Sequence, residues 1–198
     1  MKDKIIATAT ETFVKLGVRS VTMDDIAQQM GISKKTIYKY FKNKEALITE
    51  VAQVAHLEIR EVISDVLSQN LNPIAEMFEV RRIFKGFFLG ADISPVFQLK
   101  KYYPEIYESI ILRERETYYS YTRENILRGI AGGYYREDLE IENAVQFYYT
   151  LIYSLHESDI SQTQLRDLER SVLIYHLRAI STPEGIKELD RQLTIENP

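Results

Sequence analysis

Hydrophobic residues recur at intervals of three and four along most of this chain, which is the spacing of amphipathic helices. The first stripe covers residues 5–16 and ends at a glycine, and a second, shorter stripe follows Thr22. A third begins after Ser33, and a fourth starts at Lys44 and continues for about 24 residues without glycine or proline. The pattern predicts three helices packed closely in sequence, followed by one long helix.

Proline and glycine divide the remainder of the chain. Pro73 starts a further helix that runs towards Phe88 and Leu89, and residues 90–95 form the next break. Helices are also predicted over residues 96–103, 105–130, 141–157, 162–180 and 184–193. Strand alternation and internal repeats are not found. We therefore predict an all-α fold of nine or ten helices, with a three-helix N-terminal domain over residues 1–48 and a helical domain over residues 49–198.

The chain has 198 residues and no cysteine, which excludes disulfides, thiolate metal sites and cysteine nucleophiles. The N-terminus alternates polar and apolar residues and so lacks the apolar core of a signal peptide. No apolar run approaches the length that crosses a membrane. A reducing cytoplasm is the expected location, with no membrane partner.

The net charge of -4 is unevenly distributed along the chain. Residues 1–55 hold nine Lys/Arg and six Asp/Glu, a net charge of +3. The remaining residues hold 16 basic and 23 acidic side chains, a net charge of -7. This asymmetry indicates that the N-terminal part meets a polyanion while the rest of the chain has another task.

The segment from Ser33 to Lys44 contains five lysines and no acid. Its apolar members Ile37 and Phe41 are four residues apart and can anchor a short helix to the small N-terminal core. A lysine run is often simply a solvated face. Here, however, the lysines crowd the start of a helix, where the dipole disfavours cations, and a DNA phosphate would relieve that repulsion.

Two short helices separated by a glycine and a capping serine, with the second one basic, predict a helix-turn-helix that binds duplex DNA. Hydroxyls, phenols and the lysine that opens the long helix suit phosphate oxygens. The phosphate ligands predicted on this basis are Thr22, Ser33, Tyr38, Tyr40 and Lys44. The side chains predicted to reach base edges are Lys34, Lys35, Thr36 and Lys39.

The stretch from Thr22 to Leu47 resembles the DNA-binding signature of the tetracycline-repressor (TetR) family. The resemblance rests on a capped helix with Ile26-Ala27, the turn Gly31-x-Ser33, and the motifs Tyr38-x-Tyr40-Phe41 and Lys44-Glu45-x-Leu47. It implies that Thr22, Tyr38, Tyr40 and Lys44 contact phosphates and that the helix after Ser33 reads bases. Many relatives have a small residue where this chain has Lys35.

Aromatic residues are concentrated outside the predicted DNA-binding part. Twelve of the fourteen tyrosines and six of the eight phenylalanines lie beyond residue 56, so they either pack a core or line a pocket for a small-molecule effector. The effector-binding residues are not identifiable from the pattern. His56, His156 and His176 lack metal-ligand spacing, and no catalytic constellation is found. We therefore predict no metal, no cofactor and no enzymatic activity.

Two helices near the C-terminus carry apolar stripes at the spacing of helix bundles. One stripe is Phe147, Leu151, Ile152 and Leu155. The other is Leu165, Leu168, Val172, His176 and Ile180. Each stripe can belong to the core of one subunit or to an interface between two, and the family resemblance implies that these helices form a four-helix contact in a homodimer.

These observations predict a homodimeric transcriptional regulator, a repressor released from a palindromic DNA site by a small-molecule effector. Two alternatives remain open from the sequence. One is a small-molecule carrier or enzyme that uses the aromatic helical body, and the other is an effector-free DNA-binding protein of chromosome organisation.

Overall fold

Capping residues, glycines and prolines set the ends of the helices. The computed structural model describes residues 1–87, 91 and 94–196, and in these residues it contains ten helices and one isolated bridge between Tyr135 and Ser181. The helices are α1 (Lys2–Leu16), α2 (Met23–Gln29), α3 (Lys34–Tyr38), α4 (Lys44–Ser68), α5 (Pro73–Phe87), α6 (Pro95–Tyr102), α7 (Pro104–Ala131), α8 (Ile141–His156), α9 (Gln162–Ile180) and α10 (Pro183–Glu196).

The predicted all-α class and helix number are confirmed. Phe88, Leu89 and three residues of the predicted break at residues 90–95, namely 90, 92 and 93, lie outside the described residues. The helix after Ser33 is shorter than its pattern, because α3 ends at Tyr38 rather than near Phe41. Its last turn tightens there, since the amide of Tyr40 donates to the carbonyl of Ile37 only three residues back, at 3.0 Å.

A first hydrophobic core joins α1, α2, α3 and the start of α4. Its most deeply buried side chains are Ile5, Ala9, Ile26, Ile37 and Leu47, each of which is fully shielded from solvent. Burying one such large aliphatic side chain contributes about 1.5–3 kcal/mol to folding, so these few contacts determine how the short helices pack. Side chains from beyond residue 48 also pack against this core, namely Val51, Val54, Leu99, Tyr103 and Ile106.

A second, larger core joins the C-terminal half of α4 to α5 and α7 through α10. Val66, Ile74, Ile126, Leu173 and Leu189 are fully buried in it. Helix α4 therefore contributes to both cores, with Leu47 and Ile48 in the first, and Ile63 and Val66 in the second.

A buried ion pair links α5 to α7 inside the second core. Glu76 is 1% exposed, and its two carboxylate oxygens accept bonds of 2.8 Å from the two terminal nitrogens of Arg128. Asn125 donates to the same carboxylate at 2.8 Å and accepts from the hydroxyl of Tyr135 at 3.1 Å. Because the buried charge is paired and its oxygens are hydrogen-bonded, the network is tolerated, whereas removing one partner typically costs about 3–5 kcal/mol.

Helix α6 holds the two cores together at a second place. The side chain of Gln98 accepts a bond of 2.8 Å from the amide of Val18, just after α1. The guanidinium of Arg19 lies 4.9 Å from the ring centre of Tyr102, at the end of α6. The N-terminal core is thus tied to the rest of the chain by α4 and by α6.

Among residues 1–87 and 94–196, no helix is both long enough and apolar enough to cross a membrane.

We predict that Gly129→Ala destabilises the fold. A Cβ atom at Gly129 would lie 2.0 Å from Cδ2 of Tyr135, whose ring is 1% exposed and held by Asn125. Overpacking of this kind costs about 1–3 kcal/mol, and at about 2–4 °C per kcal/mol for a chain of this size the melting temperature should fall by several degrees. Calorimetry would measure the shift.

The matched control is Gly86→Ala, because Gly86 is helical and a Cβ there meets no atom within 4 Å. Alanine should be neutral or stabilising at that position by up to about 1 kcal/mol. Equal melting temperatures for the two variants would contradict the packing assigned to Tyr135.

Candidate functional site

The first component of the site is the capped start of α2. The amide of Asp25 donates to the hydroxyl oxygen of Thr22 at 3.2 Å, and the amide of Thr22 donates to the carboxylate of Asp25 at 2.8 Å. This reciprocal pair is the capping box that the sequence predicts, with aspartate in the place of glutamate. The bonds from Thr22 lower the pKa of the Asp25 carboxyl, and Thr22 itself is exposed.

The turn between α2 and α3 depends on one glycine. Gly31 has a φ of 65°, in the left-handed region that favours glycine. The next residue, Ile32, donates from its amide to the carbonyl of Ala27 at 3.0 Å, which closes the end of α2. Ser33 then caps α3, accepting a bond of 3.1 Å from the amide of Thr36.

Helix α3 is anchored on one side and exposed on the other. Ile37 is fully buried, and Phe41 just beyond the helix is 2% exposed, so the predicted anchors are confirmed. Lys35, Lys39, Tyr38 and Tyr40 are exposed, with about half of each tyrosine accessible at 49% and 43%. Thr36 is half-buried, and its hydroxyl lies 2.9 Å from that of Ser33. The short helix therefore presents cations and phenols to solvent.

Lys34 is not a free cation, because it forms an ion pair with Asp24 in the first turn of α2. The carboxylate of Asp24 raises the pKa of the Lys34 amine. The sequence from Ser33 to Lys44 contains no acid and so does not indicate this pair, because Asp24 belongs to the neighbouring helix α2. Both side chains are largely exposed, so the pair itself adds little stability.

Lys44 occupies the N-terminus of α4 and is half-buried. Its amine donates to the carbonyl oxygen of Arg19 at 3.0 Å and lies 5.8 Å from the ring centre of Tyr103. Its charge also contributes to the lowered pKa of Asp25. Lys44 is therefore held between the start of α2 and the end of α6.

The nine residues predicted to contact DNA come from three consecutive helix starts that converge. Asp24 in the first turn of α2 pairs with Lys34, and Lys44 donates to the carbonyl of Arg19, three residues before Thr22. Ser33, Lys35, Thr36, Tyr38, Lys39 and Tyr40 belong to α3 and its flanks. Sequence reasoning missed Arg19 and the two aspartates as parts of this surface, because their partners are distant in sequence or on another helix.

A cavity of about 170 Å³ lies among α4, α5, α6, α7, α8 and α9. Ile63, Met77, Val80 and Leu165 supply apolar wall, and Val96 in the first turn of α6 also lines it. For comparison, a cavity of about 150 Å³ lined by aliphatic and aromatic side chains admits benzene. Some of the aromatic residues concentrated beyond residue 56 therefore line this cavity, namely Tyr118, Tyr121, Tyr148 and Tyr153.

Three tyrosines of the cavity wall, Tyr118, Tyr121 and Tyr148, are uncharged at neutral pH because burial raises their pKa values. Burial raises the pKa of Tyr148 to about 12 and raises that of Tyr118 well above its usual range. His176, which stacks on Tyr148 with ring centres 4.4 Å apart, has its pKa lowered by burial to about 4. The charged lining residues are Arg81, Lys85, Arg166 and Glu169, from α5 and α9.

Some residues of the predicted apolar stripes of α8 and α9 face the interior of the subunit, and others face solvent. Leu165 and Ile180 are buried in the core, Ile152 lines the cavity, and His176 stacks on Tyr148. Four large apolar side chains remain exposed, and together they define what we name the outer face of α8 and α9: Phe147 at 66%, Leu151 at 51%, Leu168 at 43% and Tyr175 at 75%. Tyr175 was not part of the predicted stripe.

Within the part of the chain that the structure describes, no three His, Asp or Glu side chains lie close enough together to hold a metal ion.

The described residues therefore join a basic helix-turn-helix to a helical body that contains a cavity. Residues 5–51 match the family model described as bacterial regulatory proteins, tetR family. Over 70 residues the chain is 33% identical to the uncharacterized HTH-type transcriptional regulator YhgD of Bacillus subtilis, and 31% identical to IcaR of Staphylococcus aureus, a negative transcriptional regulator of the biofilm operon icaADBC. Each alignment spans 35% of this chain and 37% of the relative.

The similarity of fold extends over nearly the whole chain. A transcriptional regulator from Cytophaga hutchinsonii superposes with a TM-score of 0.74 at 17% identity, covering 91% of this chain and 98% of that one. By sequence, residues 5–51 are thus similar to the DNA-binding part of tetR-family regulators, and the described chain shares the fold of this solved transcriptional regulator.

We predict that Asp24→Asn strengthens DNA binding without regard to sequence. The substitution removes a negative charge from the surface predicted to meet DNA, and it frees Lys34, which is predicted to reach a base edge. Weaker repulsion of the phosphates should raise affinity for any duplex several-fold at low salt, and the gain should shrink as added salt screens the charge. Fluorescence anisotropy with two unrelated duplexes would measure both effects.

The control for charge alone is Glu11→Gln, an exposed acid on α1 with the same change in net charge. It should alter affinity less than Asp24→Asn does. Weaker binding by the Asp24 variant would show that the ion pair orders Lys34 for DNA rather than restraining it.

Proposed function

We propose that this chain is a sequence-specific DNA-binding transcriptional regulator, a repressor that leaves a palindromic operator when a small molecule occupies its cavity. The observation that carries the proposal is the convergence of Thr22, the exposed face of α3 and Lys44 on one surface, over an anchored core. IcaR, whose name describes negative regulation, supports the sign of the effect.

Within this surface the residues divide by role. The proposed phosphate ligands are Thr22, Ser33, Tyr38, Tyr40 and Lys44. The proposed base readers are Lys34, Lys35, Thr36 and Lys39, since the N-terminal part of a recognition helix enters the major groove. The exposure of Lys35 and Lys39 supports their proposed role as base readers most directly. Lys34 would first have to break its ion pair with Asp24.

The outer face of α8 and α9 supports a homodimer. Four large apolar side chains exposed on two adjacent helices form a surface that a second copy of the chain would cover, giving a four-helix contact about a two-fold axis. A two-fold dimer presents two α3 helices to two half-sites, which is why a palindromic operator is expected.

Helices α4 and α6 connect the cavity to the surface proposed to contact DNA. His56, Ile59 and Ile63 of α4 line the cavity, and the same helix begins at Lys44. Suppose that α4 can adopt two positions in the dimer. An effector that binds the protein more tightly with α4 in one of them would favour that position and change the separation of the two α3 helices. Residues 1–48 are accordingly assigned to DNA binding and residues 49–198 to effector binding and dimerisation. The protein acts in the cytoplasm and catalyses no reaction.

The test of this function is selection of random genomic fragments by the purified protein, followed by sequencing. Enrichment of a two-fold symmetric sequence near a few promoters would support the proposal. Absence of enrichment would overturn it in favour of a carrier or enzyme, and many dispersed sites would favour a protein of chromosome organisation.

On the selected operator, we predict a strong dependence of affinity on salt. With about eight phosphates neutralised per dimer, log affinity should fall against log salt with a slope near -7. Lys44→Ala should weaken binding to every sequence about equally, while Lys35→Ala should change the ranking of operator variants. Lys4→Ala, an exposed lysine of α1, is the matched control. A slope near zero would exclude phosphate-dominated binding.

We predict that Phe147→Arg combined with Leu151→Arg converts the dimer to monomers of 23.2 kDa. Burying two unpaired charges in an apolar contact should raise the dissociation constant by at least ~100-fold, which corresponds to about 2.8 kcal/mol. Sedimentation at several concentrations would measure it. Ile195→Arg, at an apolar position of α10 that is 58% exposed, is the control. An unchanged dimer would place the interface elsewhere.

A further inference from the structure

We infer that the cavity binds an apolar molecule that carries a carboxylate at one end, with the carboxylate held by Arg81 and Gln162. This inference rests on the proposed function, because it names the chemical class of the small molecule that would release DNA.

Two hydrogen-bond donors that line the cavity are buried and have no acceptor. They are Nε of Arg81 and Nε2 of Gln162, and neither atom has a hydrogen-bond partner among the described residues. Gln162 is only 6% exposed. Buried polar groups are nearly always paired in folded proteins, so two unpaired donors at one cavity indicate an acceptor that belongs to a ligand.

Both donors belong to the side of the cavity that the first turns of α9 line. Gln162 is the first residue of that helix. Arg81, which projects from α5, donates from Nη2 to the carbonyl oxygen of Arg166 at 3.4 Å, and Arg166 follows Gln162 by one helical turn. The proposed carboxylate lies between the two side chains and accepts from both.

The charges around these donors favour an anion. Arg81 shares the carboxylate of Glu196 with Arg170, at 2.7 Å and 3.1 Å, so two guanidinium groups compete for one negative charge. Arg166 and Lys85 add further positive charge to the lining. Glu169 is the single acid among the described lining residues, and it already pairs with His156 at 2.7 Å. A cationic ligand would therefore find repulsion at this end.

The rest of the cavity suits an apolar body. Ile63, Met77, Val80 and Leu165 line it, and Tyr148 remains neutral because burial raises its pKa to about 12. A volume of about 170 Å³ limits the enclosed part of the ligand to a short alkyl chain or one ring. A medium-chain or aryl-alkyl carboxylic acid has these properties.

The experiment measures binding of three probes of equal chain length to the full-length protein without DNA, by titration calorimetry. The probes are octanoate, octan-1-ol and octylamine. Octanoate should bind at least ~10-fold more tightly than octan-1-ol, and octylamine should be the weakest. Octanoate binding no tighter than octan-1-ol binding would overturn the inference.

Two variants assign the head group to its donors. Gln162→Glu replaces the unpaired donor with a negative charge, and Arg81→Met removes the other donor. Each should weaken octanoate at least ~10-fold while leaving octan-1-ol within about two-fold. Arg82→Met, the exposed neighbour on α5 that pairs with Glu79, should change neither probe. Equal loss of both probes would indicate damage to the cavity and overturn the assignment to these donors.

Failure of the inference and failure of the proposed function are separate results. If the operator is bound but octanoate is not preferred, the ligand class is wrong and the DNA-binding function stands. If octanoate is preferred and lost in both variants, but no DNA is bound at any sequence, the ligand site stands and the regulatory function is wrong.

Discussion

The structure depends on one helix that takes part in two cores at once. Helix α4 has 25 residues and no glycine or proline, so it spans about 37 Å as a stiff rod at about 1.5 Å per residue. Leu47 fixes one end in the N-terminal core, Val66 fixes the other in the C-terminal core, and Ile59 between them lines the cavity. Under the proposed function, a change in the cavity wall would move the N-terminal core as a body, because α4 has no glycine or proline at which it could kink.

Helix α6 gives this rod a second support. Val96 in the first turn of α6 lines the cavity. Further along the helix, the side chain of Gln98 accepts a hydrogen bond from the amide of Val18, and the guanidinium of Arg19 lies over the ring of Tyr102 at the helix end. Arg19 in turn supplies the carbonyl that receives Lys44. The two connections therefore meet at the start of α4, where the proposed DNA-contacting surface begins. Because α4 and α6 both line the cavity, a ligand that displaces either helix would also affect the other. Their combined movement would then set the position of α3.

Much of the fold, and of the geometry of the surface proposed to contact DNA, could be predicted from the sequence because its causes are local. The cap of Thr22 on Asp25 and the left-handed Gly31 involve residues within one turn of each other, and the burial of Ile37 follows from helical spacing. Local spacing is readable since helix geometry fixes which neighbours meet. The pairing of Lys34 with Asp24 was not readable, because it depends on the angle at which two helices cross.

By itself, the sequence determined that the chain is helical, where its basic helix-turn-helix lies and which residues anchor α3. Only the tertiary structure decided which aromatic and apolar side chains of the C-terminal part face a cavity, a core or solvent. Tyr148 and Tyr175 occur on similar amphipathic patterns, yet one is buried against His176 and the other is 75% exposed. The difference arises because burial depends on which helices pack around a position, and that packing joins residues dozens of positions apart.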